Sequence, residues 1–242
     1  MLSIIASALT ECQTERVTAS TSARAIAREQ LTRTILSSAR AQLGTVGPAA
    51  LSVRAVARDV GMVSSAVYRY FPSRDDLITE LLVICYTELA EEVEAAEGAV
   101  TDRSDRRGRW RAIARAMHGW AVAHPYDYAL LYGSPVPGYA APRRTVEPAV
   151  RVPGLVLGLV TGLGSEPGEL GTDVDPERLH RALRGIREFA GADLDDGAVM
   201  RALVAWSGLV GAISLELFGH LTNGVDDYDV WFAAVADRLA PA

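Results

Sequence analysis

A glycine at position 61, set between two short apolar-patterned segments and followed eleven residues later by Pro72, constrains this chain more than any other feature. Before it, Ser52 is a suitable helix N-cap, and Val53, Val56, Ala57 and Val60 recur at the spacing of one helical face. Gly61 supplies the left-handed backbone that reverses the chain at lowest cost. A second short helix is expected over 64–70, because Pro72 forbids its continuation. Ser73-Arg74-Asp75-Asp76 then forms a capping box that opens a longer helix. Ala57 is small enough for close helix approach and Val67 locks the second helix onto the first, so the unit has helix-turn-helix spacing.

The surrounding sequence is helical in the same way. Ala27, Leu31, Ile35, Ala39 and Leu43 form a four-residue-spaced stripe over 26–43, stopped by Gly44, Gly47 and Pro48. The helix opened at Ser73 carries Leu77, Leu81, Ile84, Cys85 and Leu89 inward and ends in the charged stretch 97–108. Trp110, Ile113, Met117, Trp120 and His124 share one face of a helix that Pro125 terminates, and an aromatic helix follows over 126–132. After a Pro/Gly connection, a helix is expected over 143–163, and 164–176 reads as a linker. Residues 196–218 are apolar nearly all round, as in a helix buried on both sides, and a last helix covers 226–239. The expected class is all-α: a flexible tail over 1–25, a three-helix unit over 26–75, and a larger helical unit over 76–242.

Charge is distributed unevenly along this frame. The whole chain is −6, yet the stretch 24–74 holds eight arginines (24, 28, 33, 40, 54, 58, 69, 74) against Glu29 and Asp59. That is a local +6, leaving −12 for the remainder. An acidic protein with one basic end does not coat nucleic acid indiscriminately, but its basic end attracts a polyanion. Every cation is arginine, which points first to codon usage.

Other classes find little support. Cys12 and Cys85 are far apart in the chain and fit reduced thiols in a cytoplasmic protein. The opening nine residues lack the charged and apolar regions of a secretory signal, and the longest apolar stretches, 154–164 and 203–215, fall short of the ~20 residues that span a bilayer. No Gly-x-Ser-x-Gly elbow occurs. A lysine-dependent phosphate loop is impossible without lysine, and the four histidines show no zinc spacing. The expectation is no enzyme, no cofactor and no metal.

The run from Gly61 through Tyr68-Arg69-Tyr70-Phe71-Pro72-Ser73-Arg74 resembles the DNA-binding domain of the TetR family over about fifty residues. Residues 117–139, Met-His-Gly-Trp through Gly-Tyr, are similar to the WHG-type C-terminal domain of some TetR-like regulators. The resemblance implies a homodimeric transcriptional regulator, a repressor released from a palindromic operator in double-stranded DNA when a small-molecule effector binds. A dimer that binds DNA constitutively, without a ligand, is the competing reading. One position departs from the family pattern: Val63 stands where a serine usually caps the recognition helix, and Ser64 is the alternative cap.

On this basis Ser64, Ser65 and Ala66 are expected at base edges in the major groove, since the N-terminal part of a recognition helix enters first. Tyr68 is expected on a phosphate. Arg54 and Arg74 lie near helix starts, where guanidinium and helix N-terminus bind phosphate together, and Arg28 opens the first helix within reach of a minor groove. Ser52, Arg69 and Tyr70 complete the set, although a tyrosine at 70, like Phe71, more often packs against the first and fourth helices. For the effector, Met117, Trp120, His124, Tyr128, Tyr132 and Trp206 are candidate walls, apolar with polar tips. An aromatic stripe is also what ordinary core looks like. Val199, Leu203, Val210, Ile213, Leu217 and Trp231 are the expected two-fold interface, with Gly208 and Gly211 permitting close approach.

Overall fold

The first helix is longer than its apolar stripe. In the computed structural model, which describes residues 2–164, 174–191 and 194–241 with side chains from Arg24 onward, α1 spans Leu2–Val46. The tail expected over 1–25 falls almost wholly on residues whose side chains lie outside the described set. Ile35, Ala39 and Leu43 are buried, whereas Ala27 and Leu31 on the same stripe are exposed. Burial begins only where α2 (Val53–Asp59) and the 3₁₀ turn Pro48–Ala50 lie against α1.

The glycine turn behaves as its residue type dictates. Gly61 has φ 69°, and the Met62 N–H closes back on the Ala57 carbonyl at 2.8 Å. The next helix, α3, is regular only over Ser64–Val67, shorter than expected. Beyond it the chain tightens, with Tyr70 N–H on the Val67 carbonyl at 2.9 Å and Phe71 N–H on the same carbonyl at 3.0 Å. The expected capping box opens α4 (Arg74–Gly98): Ser73 Oγ accepts from Asp76 N–H at 3.0 Å and donates to the Asp76 carboxylate at 2.7 Å. Val56, Ala57, Val67, Phe71, Leu77 and Leu81 close the core of this unit.

Packing divides the chain after Leu81, inside α4, rather than at the start of that helix. The second unit holds the rest of α4 with α5 (Arg106–Ala123), α6 (Pro125–Tyr132), α7 (Val146–Val160), α8 (Pro176–Ala182), α9 (Arg184–Ala190), α10 (Asp196–Leu217) and α11 (Tyr228–Arg238). Among the described residues there is no strand. Trp110, Ile113, Met117 and Trp120 of α5, Val156 and Leu159 of α7, and Val199, Leu209 and Ile213 of α10 are fully or almost fully buried. Trp110 Nε1–H reaches the Ala236 carbonyl at 2.7 Å, so the indole is buried without leaving its donor unmet.

Two elements differ from expectation. The α8–α9 pair begins at the last residue of the stretch that reads as linker and fills 177–190, where no element is expected, although Asp175 followed by Pro176 is a helix start in plain view: the Asp175 carboxylate accepts from Glu177 N–H at 3.0 Å. Helix α10, 22 residues long, passes the length and composition test for a membrane-crossing helix, which corrects the expectation that no segment does. Counting strict apolar runs stops at its glycines, serines and Arg201. The helix packs against α5, α6, α7 and α11, as a core helix does.

Candidate nucleic-acid interface

One side chain of α1 sets the position of α2. Gln42, only 8% exposed, accepts from the Ser52 N–H at 3.4 Å through Oε1 and donates to the Asp59 carboxylate at 3.0 Å through Nε2. It therefore braces both ends of α2 at once. Ser52 is the N-cap of that helix, its hydroxyl accepting from Ala55 N–H at 3.5 Å, and it is half-buried. Its first role is structural.

Arg74 also works inside the unit. Its Nε donates to the Leu51 carbonyl at 3.0 Å, and its Nη2 to the carbonyls of Pro48 at 2.7 Å and Ala49 at 2.8 Å. The guanidinium fork thus clamps the segment that leads into α2, which revises its expected place among phosphate contacts. Arg28 lies with its guanidinium 4.9 Å from the centre of the Tyr70 ring and donates to the Arg69 carbonyl at 3.5 Å. Both Arg24 and Arg28 belong to continuous helix, so neither sits on an extended arm of the kind that threads a minor groove.

The outward surface is then well defined. Val63, Ser65, Tyr68 and Arg69 are exposed and Ser64 and Ala66 half-exposed, all at or beside α3, and Arg54 is exposed in the first turn of α2. Tyr70 is half-buried beneath Arg28 and Phe71 is in the core. The cap of α3 is Val63, with no side-chain hydrogen bond; neither serine caps. Val63 is 70% exposed, an apolar group at the leading end of the helix that sequence reasoning treats only as a missing cap. Its departure from the family pattern is the available signal.

In the second unit, Met117 and Trp120 are core residues, and His124 serves as the end of α5, its Nδ1 3.0 Å from the Trp120 carbonyl. Tyr128, Tyr132 and Trp206 do come together. Tyr132 stands 5.1 Å from Tyr128 and 6.0 Å from Trp206 by ring centres, and 6.2 Å edge-on from Tyr86 of α4. Tyr128 is held by the Val210 carbonyl at 2.9 Å and the Ser214 hydroxyl at 3.0 Å. Burial pushes the Tyr128 phenol up to about 12, against a smaller opposing effect of the Ser214 hydrogen bond. Burial first, and then the neighbouring Tyr86 and Tyr128, raise Tyr132 further.

Of the expected interface residues, Val199 and Ile213 are fully buried within the chain, while Leu203, Val210, Leu217 and Trp231 are partly exposed. The close approach expected at Gly208 is made inside the chain: a Cβ there would meet Leu239 Cδ2 at 2.5 Å, whereas one on Gly211 would meet open space. The exposed apolar surface of α10, α11 and the turn after α10 consists instead of Val204, Leu215, Phe218 and Val230.

A glycine-turned helix pair on an arginine-rich unit, followed by an all-helical second unit, defines a helix-turn-helix DNA-binding regulator. Residues 35–81 match the family of bacterial regulatory proteins described as the tetR family, and residues 110–239 match the tetracyclin repressor-like C-terminal domain. The chain belongs to the TetR family of transcriptional regulators, which are not enzymes. HTH-type transcriptional regulator Rv1816 of Mycobacterium tuberculosis and its counterpart Mb1846 of Mycobacterium bovis are each 46% identical to it over 215 residues, covering 86% of this chain and 88% of theirs. The crystal structure of the protein SCO4313 superposes with a TM-score of 0.73 at 33% identity, covering 89% of this chain and 97% of that one. PfmR of Thermus thermophilus, a TetR family transcriptional regulator, shares the fold at a TM-score of 0.52 and 14% identity, over 85% of this chain and 96% of its own.

Proposed function

We propose that this regulator is a cytoplasmic homodimeric repressor that binds a palindromic operator and is released from it by a small-molecule effector. The carrying observation is the cluster of Val63, Ser65, Tyr68 and Arg69 exposed around a recognition helix, within the stretch 24–74 whose net charge is +6. Ser64, Ser65 and Ala66 face base edges, with Val63 beside them, and Arg54, Arg69 and Tyr68 hold the phosphate backbone. Arg28, Ser52, Tyr70 and Arg74 position these groups from behind.

A single copy reads only a half-site, and two-fold symmetry supplies the second half one helical turn away. Val204, Leu215, Phe218 and Val230 give the exposed apolar surface on which a second copy docks. The effector acts from the second unit, as the joined rings of Trp206, Tyr132 and Tyr86 support.

Selection of bound sites from a random pool of duplex DNA tests the reading. An inverted repeat is expected, with footprint protection symmetric about its centre. Failure to retain any duplex at low salt, or recovery of a single unrepeated half-site bound by a monomer, overturns it.

A further inference from the structure

The second unit holds a half-open apolar pocket of about 210 Å³ between α7, α9 and α10. Val150, Pro153 and Leu157 of α7, Phe189 of α9, and Leu203 and Trp206 of α10 form most of its wall. None of these side chains is charged, and only the Trp206 indole N–H can donate a hydrogen bond. A charged guest would give up part of its hydration to these walls without gaining a charged partner. An apolar cavity of about 150 Å³ holds benzene, so this one suits one ring or two fused rings.

Phe189 partitions this space. It is 47% exposed, yet its ring reaches inward over Gly154, where a Cβ would stand 3.9 Å from Phe189 Cζ. An adjoining cavity of about 150 Å³ is lined by Gly154, Leu157, Thr161 and the same Phe189. Glycine at 154 leaves the α7 surface flat where the phenyl ring lies.

We infer that the α7–α9–α10 cavity binds a small uncharged aromatic molecule of one or two rings with at most one hydrogen-bond acceptor, and that Phe189 sets the upper limit on its length. This rests on the ligand-responsive reading above. A guest seated there touches Trp206, whose ring meets Tyr132 at 6.0 Å, and Tyr132 in turn meets Tyr86 of α4 at 6.2 Å. Occupancy thereby bears on α4, the helix whose first residue is Arg74.

Titration of the full chain with indole, followed by calorimetry, tests the site. Saturable binding is expected for the native chain and at least tenfold weaker binding for Leu203→Trp and Val150→Phe, each of which fills the space. Benzoate, of similar size but charged, should not bind. Phe189→Ala joins the two cavities and should raise the affinity for 4-phenylphenol at least tenfold, an arm that decides the matter if the filled variants do not melt cooperatively. No indole binding, or equal binding to native and filled proteins, overturns the site. Indole that fills the cavity without changing operator affinity supports the site and overturns the ligand-responsive reading. Release of operator by indole that persists in the filled variants does the reverse.

Discussion

The Arg28 guanidinium lies 4.9 Å from the centre of the Tyr70 ring, so α1 presses on the turn that follows the recognition helix. With the arginine exposed to solvent, such a cation–ring contact is worth about 0.5–1 kcal/mol. Arg28→Ala should lower the unfolding free energy by about that amount in urea denaturation and weaken operator binding in parallel. A residue that met only phosphate would leave the denaturation midpoint where it was.

Arg54 and Arg74 should separate cleanly. Arg74→Ala removes three hydrogen bonds to carbonyls of residues 48, 49 and 51, at a cost of about 2–3 kcal/mol in stability, and Arg74→Lys cannot restore the fork. Its salt dependence of DNA binding should match the native protein's. Arg54→Ala should be stable and lose about one from the slope of log affinity against log salt, as for one lost phosphate contact. Fluorescence anisotropy on a labelled operator at several salt concentrations measures both.

Val63→Ser should place a side-chain cap where α3 has none, raising stability by about 0.5–1 kcal/mol. It also deletes an exposed apolar group, so preference for thymine at the adjoining operator position should fall. Thermal melts and a repeat of site selection on the variant check the two effects. Identical recovered sites would place Val63 outside base readout.

Gly208→Ala should fall short of the roughly 1 kcal/mol that alanine ordinarily adds over glycine inside a helix, since its Cβ would have to displace the end of the Leu239 side chain, and urea denaturation measures the shortfall. Gly211→Ala meets nothing inside the chain and should gain the full roughly 1 kcal/mol. If Gly211 faces a second copy, that variant should shift sedimentation toward monomer with no fall in its melting temperature at high dilution.

Tyr128 makes the second unit sensitive to alkali. An unfolded tyrosine ionises near its ordinary value of 10, whereas in the folded chain Tyr128 holds its proton to about 12. The folded state therefore binds more protons between these values, and stability falls as pH rises from 10 towards 12. The contribution is fully present below 10. Tyr128→Phe should be less stable at pH 8 through loss of the bonds to Val210 and Ser214, and should lose less than the native chain between pH 9 and 11 in urea titrations.

Local chemistry makes the first unit legible from sequence. Gly61, Pro72 and the Ser73 capping box each act through their own backbone, and each stands in the structure where its residue type places it. The internal role of Arg74 is not legible because sequence shows a cation near a helix start but not the three carbonyls that fold back towards it. The second unit is less legible for the same reason. Met117 and Trp120 share their stripe with core and pocket alike, and only packing shows that they are core, while the α7–α9–α10 cavity depends on α9, a helix that the apolar pattern does not announce. Among the six expected pocket residues Trp206 alone lines that cavity.

Gln42 offers one acceptor and one donor, and α2 uses each at a different end. Its amide therefore has a polarity that cannot be reversed without losing both contacts, and hydrolysis of that amide to glutamate would set a second carboxylate against that of Asp59. Chemical ageing at this one amide would thus loosen the C-terminal end of α2 while its N-terminal end keeps an acceptor for the Ser52 N–H.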